Sequence, residues 1–359
     1  MRTLLPHAEL RDVALRPAAT ARVWLGAGMP LETVAVPGVA LASGDVLVAV
    51  ELSTICGSDV HTVRGDRPSP VPVVLGHESV GRVIALGDGG ARTADGGELR
   101  VGDRVVWSVT VSCGTCNRCE CGLPQKCRTL AKYGHERIEP RWELTGGFAT
   151  HVHLRRGTAI VRASESLPAA ALAPASCATA TAWAAVARAG RDLEGVSVRV
   201  YGAGLVGLSA AAIAADLGAR VSVVDPSAQR RLLAERFGAE PDADDAAPTV
   251  VIEASGHAVA EAIASVDVGG TVILVGSVFP AAPVALDAED LVRRLVTITG
   301  VHNYTGTDLV DAVAFLAGRG RAYPFADMVG AVHPLGDADV ALAAAAAPGA
   351  PLRVGLAPR

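Results

Sequence analysis

The 359-residue sequence has little net charge, no long polar tract and no apolar stretch near its beginning. Its formal charge of -5 is too small and too evenly spread for a binder of nucleic acid or membrane surfaces. Acidic residues and prolines interrupt its first residues, so we expect no secretory signal and a cytoplasmic location. With 50% hydrophobic residues, a mostly disordered chain is excluded as well. These features favour small-molecule chemistry without nucleic-acid or membrane partners.

A charge-free run at residues 166–187 is long enough to span a bilayer. It is mostly alanine and contains Pro168 and Pro174, so we interpret it as buried structure at a domain interface. A chain of this length exceeds what one hydrophobic core usually organises. We therefore expect two domains.

The two halves of the chain have different patterns. Residues 1–165 are rich in Val, Gly and Pro with short alternating runs, which indicates an irregular β-rich domain whose first twenty residues resemble an extra arm. From about residue 195 the order strand, glycine turn, helix, strand predicts a βαβ unit. Apolar runs at 249–256, 270–276 and 296–300 add strands to the same parallel sheet.

Four of the seven cysteines lie within fifteen residues, as Cys113, Cys116, Cys119 and Cys127. Closely spaced thiolates on a turning backbone can surround one tetrahedral zinc ion. An iron-sulfur cluster also takes four cysteines, but nothing in the sequence suggests an electron-transfer partner. We predict a structural zinc lobe, with Cys121 left over as an ordinary thiol.

A second set of metal ligands is dispersed: Cys56 in CGSDVH, His77 with Glu78 in GHE, and Cys177 in ASCATAT. Two cysteines and one histidine can form the three-ligand set of a catalytic zinc that keeps one position open. Each residue alone would indicate an ordinary core position. Their occurrence together with the four-cysteine segment favours a catalytic zinc.

A glycine pattern, Gly202-x-Gly204-x-x-Gly207, follows an apolar strand and opens a helix. In that context the glycines allow a tight turn, close approach of a pyrophosphate and close helix packing. Asp225 ends the next strand, where a carboxylate binds ribose hydroxyls and favours NAD over NADP, although Arg230 and Arg231 leave room for NADP. The residues assigned to the dinucleotide are Gly202, Gly204, Leu205, Val206, Gly207, Asp225 and Gly276.

Together these motifs resemble the zinc-containing medium-chain dehydrogenases, the family of liver-type alcohol, sorbitol and threonine dehydrogenases. The resemblance implies an α/β protein with a GroES-like β-rich catalytic domain and a Rossmann doubly wound parallel sheet. The implied boundaries are residues 1–168 for the catalytic domain with its structural zinc lobe, 169–305 for the Rossmann domain, and 306–359 for the return to the catalytic domain. Two zinc ions per chain, NAD, and a homodimer or homotetramer follow from the same resemblance.

The family resemblance also implies roles for residues near the catalytic zinc. Ser58 would bind the substrate oxygen, and His61 would pass its proton to solvent. Glu78 would orient the zinc site or serve as an alternate ligand. Gly57 stands where some relatives carry a basic residue, so that contact with the pyrophosphate is missing here.

The sequence departs from the family between Gly238 and the strand that starts at Thr249. Residues 239–248 are too few for a parallel crossover through a further strand and helix. In the strand order 3-2-1-4-5-6, the missing strand would lie at the sheet edge. We therefore predict a Rossmann sheet that lacks one edge strand and one crossover helix.

The substrate is less well defined than the reaction. KYGHE (132–136) and GVHNY (300–304) resemble a subgroup associated with phosphonate catabolism, so a phosphonate-bearing alcohol is one hypothesis and a polyol or cyclitol another. Basic residues in the loop near Lys132 could hold an anion, but Glu136, Glu139 and Glu143 interleave with them and favour a solvated loop. Two rival functions are a zinc-free enoyl or quinone reductase and a non-catalytic dinucleotide-binding or redox-sensing protein.

Overall fold

A computed structural model describes residues 10–240 and 247–358. The chain forms two compact units, one with the residues up to Ser176 and those from Val329, the other spanning Cys177–Met328. Both boundaries come later than the expected 168/169 and 305/306. Residues 173–176 contact strands of the first unit, and helix Gly306–Ala317 packs on helix Ala178–Ala187 within the second unit. These contacts, which local sequence patterns do not reveal, account for the shift.

The longest strands lie in the first unit, and the strands of the second unit have four or five residues. The strands are β1 (Arg11–Trp24), β2 (Glu32–Leu41), β3 (Val46–Ile55), β4 (Val73–Val74), β5 (Glu78–Leu86), β6 (Arg104–Val111), β7 (Ala131–Lys132), β8 (His151–Leu154), β9 (Thr158–Arg162), β10 (Ser197–Tyr201), β11 (Arg220–Val224), β12 (Val250–Glu253), β13 (Thr271–Leu274), β14 (Thr297–Gly300), β15 (Val329–Pro334) and β16 (Arg353–Ala357). The α-helices are α1 (Gly57–Arg64), α2 (Asn117–Glu120), α3 (Ala169–Leu172), α4 (Ala178–Ala187), α5 (Leu205–Asp216), α6 (Ala228–Glu235), α7 (Val259–Ser265), α8 (Ala288–Arg294), α9 (Gly306–Ala317) and α10 (Ala338–Ala345). Short 3₁₀ helices cover Pro124–Lys126, Ala173–Ser176, Arg319–Ala322, Phe325–Met328 and Leu335–Asp337.

The first unit contains the curled, β-rich GroES-like fold. One sheet has the order β2-β1-β4 and the other the order β15-β16-β3-β5-β6-β7, with β8 also on β3 and β9 also on β6. Strand β3 separates two hydrophobic clusters, because Val46, Val48 and Val50 pack in one and Leu47 in the other. Full burial of each such side chain contributes roughly 1.5–3 kcal/mol. The alternating run VLVAVEL therefore fixes the strand between two cores.

The beginning of the chain corrects one expectation. The first twenty residues were predicted as an arm, but β1 starts at Arg11 and pairs antiparallel with β2 over most of its length. Leu15, Ala19 and Ala21 on β1 are buried in the first cluster of the unit. Residues 1–9 of the predicted arm lie outside the described residues. The arm is thus, from Arg11 onward, an integral sheet strand.

The second unit has the parallel sheet of a Rossmann fold, with the order β11-β10-β12-β13-β14. All four strand pairs are parallel. Helix α5, which follows the glycine turn, is buried along nearly its whole length, as a helix that is apolar all round must be. This arrangement confirms the predicted βαβ unit and its later strands.

Beyond β11, the sheet edge is reduced as the short link predicted. Among the described residues, a single bridge between Val221 and Ala239 occupies the place of a further strand. The predicted loss of a crossover helix concerns residues 239–248, of which 241–246 lie outside the described residues. On one face of this edge Arg199 and Ser222 pair in register and are half-buried. Polar side chains let that face remain solvated.

The charge-free run identified in the sequence folds into α3, a 3₁₀ turn and α4. Most of its residues from Ala171 to Val186 are buried. Within residues 10–240 and 247–358, no single helix is long and apolar enough to cross a membrane. Ala169–Ser176 and Ala178–Ala187 pass that test of length and composition only as a pair bent by 57°.

Candidate active site and metal centres

Four side chains that the sequence singled out come together in one cluster. The ligand atoms of Cys56, His77, Glu78 and Cys177 all lie within 4.8 Å of one another. The register of the sheet explains the first three, because β3 ends just before Cys56 and Thr54 pairs with Glu78 of β5. Cys177 is bonded to Ser176, whose hydroxyl donates to the carbonyl oxygen of His77 at 3.2 Å. The dispersed motif therefore becomes one site.

Cys56 is held by the start of helix α1. It is the N-cap residue, and Asp59 accepts a hydrogen bond from its backbone N–H at 2.9 Å while its own side chain accepts from the backbone of Asp59. This reciprocal capping box fixes the position of the sulfur. One guanidinium nitrogen of Arg353 also lies 3.8 Å from the sulfur.

His77 is buried, and the two nitrogens of its ring face different partners. Its Nε2 lies 3.3 Å from the Ser58 hydroxyl, and its Nδ1 lies 3.5 Å from a carboxylate oxygen of the fully buried Asp59. Burial lowers the pKa of His77, but Asp59 and Cys56 together raise it, so that it lies well above the usual value. A carboxylate behind Nδ1 orients the ring and leaves Nε2 to face a metal. Asp59 was not predicted as a site residue, although its place three residues after Cys56 is the capping-box spacing.

Glu78 is part of a buried ion pair. Arg353 donates to both carboxylate oxygens at 2.7 Å, and the Thr54 hydroxyl donates to one of them at 2.6 Å. Burial raises the pKa of Glu78, and the charge of Arg353 opposes that rise. Arg353 was missed as well. Its place beside Cys56 depends on β16 pairing with β3, where Val354 lies opposite Ile55.

The donor atoms in this cluster fit zinc. Thiolate sulfur and imidazole nitrogen are ligands that zinc prefers, and two cysteines with one histidine leave one coordination position open. The Glu78 carboxylate is close enough to the others to approach the ion, as the alternate-ligand hypothesis requires. A zinc-free reductase would have no use for this buried set, so that rival is not favoured.

Helix α1 carries the two predicted relay residues on consecutive turns. Ser58 is half-buried beside His77, whereas His61 is exposed. The Nδ1 of His61 lies 3.1 Å from a carboxylate oxygen of Asp66. The helix thus brings Ser58 to the metal cluster and His61 to solvent.

His135 is a further residue near the cluster that motif analysis did not single out. Its ring lies 5.0 Å from that of His77, centroid to centroid. The backbone holds it there, since a Cβ on Gly134 would lie 2.7 Å from the carbonyl oxygen of Gly76. Burial and the positive charges of His77, Arg67 and Lys132 lower its pKa well below the usual value. A neutral imidazole therefore lines this side of the site.

The four-cysteine lobe is a second, separate cluster. The sulfurs of Cys113, Cys116, Cys119 and Cys127 lie within 4.8 Å of one another, and three of the sulfur–sulfur distances are 3.4, 3.6 and 3.9 Å. A disulfide requires about 2.05 Å. Four ligands about 2.3 Å from one tetrahedral zinc are about 3.8 Å apart. The geometry fits a single zinc ion rather than disulfides or unrelated thiols.

The thiols of the lobe differ in acidity. Hydrogen bonds from the backbone and hydroxyl of Thr115 and from Cys127 lower the pKa of Cys113 to about 6. Burial raises the pKa of Cys119 to about 12. Ionising all four thiols at these distances requires a cation to offset their mutual repulsion. Cys121 is exposed and lies outside this cluster, as predicted.

In the second unit, the glycine turn has the geometry of a dinucleotide site. Gly202 has φ +96°, and a Cβ on Gly207 would lie 1.9 Å from the carbonyl oxygen of Gly202. A Cβ on Gly204 would meet open space, so the backbone there is accessible to a pyrophosphate. Leu205 and Val206 begin α5, where backbone N–H groups are free to bind an anion.

Two further residues assigned to the dinucleotide lie at the ends of strands. The Asp225 carboxylate accepts hydrogen bonds from the backbone of Ala203 at 2.8 Å and Ser227 at 2.9 Å, which places it directly beside the glycine turn. Arg231 donates to the backbone carbonyl of Asp225. Gly276 follows β13, and a Cβ there would lie 2.2 Å from the backbone nitrogen of Gly256. The close packing against Gly256 therefore requires a glycine at position 276.

Comparisons with known proteins identify the family of this chain. Residues 42–164 match the family described as Alcohol dehydrogenase GroES-like domain, and residues 206–318 match the family described as Zinc-binding dehydrogenase. A geraniol dehydrogenase from Castellaniella defragrans is 33% identical over 295 residues, which cover 72% of this chain and 77% of that protein.

Solved structures show the same similarity. An alcohol dehydrogenase from Thermotoga maritima superposes with a TM-score of 0.86 at 28% identity, covering 95% of this chain and 99% of that one. A zinc-binding dehydrogenase from Sinorhizobium meliloti, solved with NADP, has a TM-score of 0.80 at 26% identity and covers 95% and 99%. The protein therefore belongs to the zinc-dependent medium-chain alcohol dehydrogenase family.

Proposed function

We propose that this oxidoreductase catalyses reversible hydride transfer between an alcohol and NAD, with a catalytic zinc held by Cys56, His77 and Cys177. The observation that carries the proposal is the convergence of these three ligands beside Ser58. When bound, the zinc would act as a Lewis acid on the substrate oxygen, and the nicotinamide would accept the hydride. Glu78, paired with Arg353, would adjust the electrostatics of the ligand set or serve as an alternate ligand.

Ser58 and His61 account for the proton of the alcohol. The Ser58 hydroxyl lies next to His77 Nε2 and can hydrogen-bond a substrate oxygen on the side of the ring that faces the metal. His61 lies one helical turn further along α1 and is exposed, so it can release a proton to solvent. Asp66 holds its Nδ1 and favours the tautomer that leaves Nε2 as acceptor.

The proposed relay is tested with His61→Gln. We expect slower alcohol oxidation near neutral pH, where a base assists most, with zinc content and dinucleotide affinity nearly unchanged. Steady-state kinetics between pH 6 and 10 provide the measurement. An unchanged pH profile of kcat/KM would remove His61 from the mechanism.

The preference for NAD rests on Asp225. A carboxylate at this position suits ribose hydroxyls and repels a 2′-phosphate. Arg231 is engaged with the backbone of Asp225, which supports NAD, although a structural relative binds NADP. Asp225→Ser should narrow the difference in kcat/KM between NAD and NADP. A wild-type enzyme with higher kcat/KM for NADP would refute this assignment.

We propose that the substrate is a phosphonate-bearing alcohol or a polyol. Neutral His135 beside His77, with the charges of Arg67 and Lys132 near it, supports an alcohol that carries a polar or anionic group. A screen of matched alcohols with and without a phosphonate, together with polyols, tests it. Equal kcat/KM for simple aliphatic alcohols would exclude both classes.

We also propose a second zinc in the cysteine lobe, a homodimer or homotetramer, and a cytoplasmic location. The sulfur separations in the lobe support the second ion, and seven free cysteines favour a reducing compartment. Two zinc ions per chain by elemental analysis, and a mass above that of one chain by light scattering, are the expected results. One zinc ion or none per active chain would contradict the proposal of a second zinc.

A further inference from the structure

A polar groove in the first unit lies apart from both metal clusters. Its volume is about 780 Å³, within the usual range of ligand sites. The charged side chains that line it are Arg92, Glu98, Arg155 and Arg156. None of the residues that line it is a member of the Cys56 cluster or of the cysteine lobe. Three arginines against one glutamate make the groove positive in a protein whose net charge is -5.

Arg155 and Arg156 differ from the arginines of this unit that form ion pairs. Arg22, Arg82, Arg104 and Arg353 each pair with a carboxylate. Among residues 10–240 and 247–358, neither Arg155 nor Arg156 has such a partner. A multiply charged anion in the groove would supply the negative charge that these two guanidinium groups lack.

Both arginines are held in place before any ligand arrives. The guanidinium of Arg155 lies over the buried Trp142 ring, 4.0 Å from its centroid, and the backbone nitrogen of Arg155 donates to Tyr133. The backbone nitrogen of Arg156 donates to the carboxylate of Asp45 at 2.8 Å. The stem of Arg156 covers Gly44, where an added Cβ would lie 3.1 to 3.3 Å from its carbons. Such preorganisation lowers the entropy lost on binding.

The rest of the lining suggests the form of the ligand. Half-buried Leu86 contributes apolar surface beside the nearly buried Leu99 and Ile160, and a Cβ on Gly90 would meet open space. An anion with a small apolar body would contact both kinds of surface. A phosphate monoester carries a charge of about -1.5 to -2 and matches two guanidinium forks better than a singly charged carboxylate.

We propose that this groove is a binding site for a small phosphate-bearing molecule with an apolar body, held by Arg155 and Arg156. The site shares no residue with either metal cluster. A ligand in it would stabilise the first unit by mass action.

Phenyl phosphate is a suitable probe because it has no alcohol group to oxidise. Calorimetric titration of the full chain, with NAD and NADP present to fill the dinucleotide site, should show saturable binding of one molecule per chain. Benzoate, at equal ionic strength, should bind more weakly. Absence of saturable binding would overturn the proposal, and equal affinity for benzoate would overturn its phosphate specificity.

Substitutions test whether phenyl phosphate binds in the groove. Arg155→Gln with Arg156→Gln should weaken phenyl phosphate binding by at least about tenfold, and Glu98→Gln should strengthen it. The control pair Arg118→Gln with Arg188→Gln removes the same charge from exposed positions outside the groove and should change affinity by less than about twofold. The single variant Arg156→Gln keeps the contact between Arg155 and Trp142, so its affinity for phenyl phosphate is measured if the double variant does not fold. Equal losses in the groove pair and the control pair would show that only net charge matters and would overturn the site.

Discussion

The two cysteine-containing clusters both bring together ligand atoms that fit zinc, but they draw those ligands from the chain in different ways. The lobe draws all four sulfurs from residues 113–127, and its ligands need few partners elsewhere. The cluster at Cys56 takes its ligands from residues far apart in sequence and is surrounded by Asp59, Thr54 and Arg353. A closed set of four thiolates needs only a local turn, whereas a set with an open position needs a supporting network. This difference is consistent with the proposed roles, a structural zinc in the lobe and a catalytic zinc at Cys56.

Removing a ligand from the open site should have the largest effect on turnover. His77→Gln should lower kcat/KM by at least about a thousandfold, because Lewis-acid polarisation contributes several kcal/mol. The lobe should keep its ion, so elemental analysis should show the loss of only one zinc. His257→Gln, at an exposed position of the second unit, is the matched control. Retained activity in His77→Gln would contradict the catalytic assignment.

The supporting network should matter for folding as well. Arg353→Met leaves the Glu78 carboxylate buried and unpaired, and should lower the free energy of unfolding by about 3–5 kcal/mol. Adding Glu78→Gln should recover much of that loss, which a double-mutant cycle by urea denaturation measures. If Glu78→Gln restored none of the free energy of unfolding, loss of the Arg353–Glu78 ion pair would not be the cause of the destabilisation.

A smaller effect is expected behind the His77 ring. Asp59→Asn removes the charge that faces Nδ1, and zinc affinity of the open site should fall about 10–100-fold. Competition with a fluorescent chelator measures this affinity. Asp66→Asn, beyond the other end of α1, is the control and should leave it unchanged. Equal zinc affinity in Asp59→Asn and the wild type would show that the ring needs no carboxylate.

The smallest predicted effect is a difference in thiol reactivity within the cysteine lobe, measured in protein from which zinc has been removed. Cys113, with a pKa of about 6, is mostly thiolate at pH 7.5, whereas Cys119, with a pKa of about 12, is protonated. Iodoacetamide should therefore alkylate Cys113 at least about tenfold faster than Cys119. Because the pKa of Cys113 is lowered, its rate of alkylation should fall as the pH falls through 6. Peptide mass spectrometry resolves the two sites, and equal rates would contradict the assigned acidities.

Local spacing in the sequence predicted the parts of the sites that are local in space. The lobe and the glycine turn each lie within a few turns of the chain, so residue type and interval determine their geometry. The short link after Gly238 likewise predicted the reduced sheet edge, because chain length limits a crossover. Family resemblance was needed to join Cys56, His77 and Cys177.

The sequence could not reveal contacts that depend on strand order. Arg353 reaches Glu78 because β16 pairs with β3, and no interval in the chain encodes that neighbour. His135 reaches His77 through the close approach of Gly134 to Gly76, which a motif search does not register. The unit boundaries shifted for the same reason, since tertiary contacts assign residues 169–176 and 306–328.

Strand β16 lies inside its sheet, with β15 on one side and β3 on the other. During translation, β3 and β5 leave the ribosome long before β16, which follows the entire second unit. Until then Glu78 has no counter-ion, and the edge of β3 that will pair with β16 is open to other strands. A nascent chain that stalls at residue 328 would therefore expose that edge and be a natural target for chaperones. Completion of the Glu78–Arg353 pair therefore waits for a strand that follows the whole second unit.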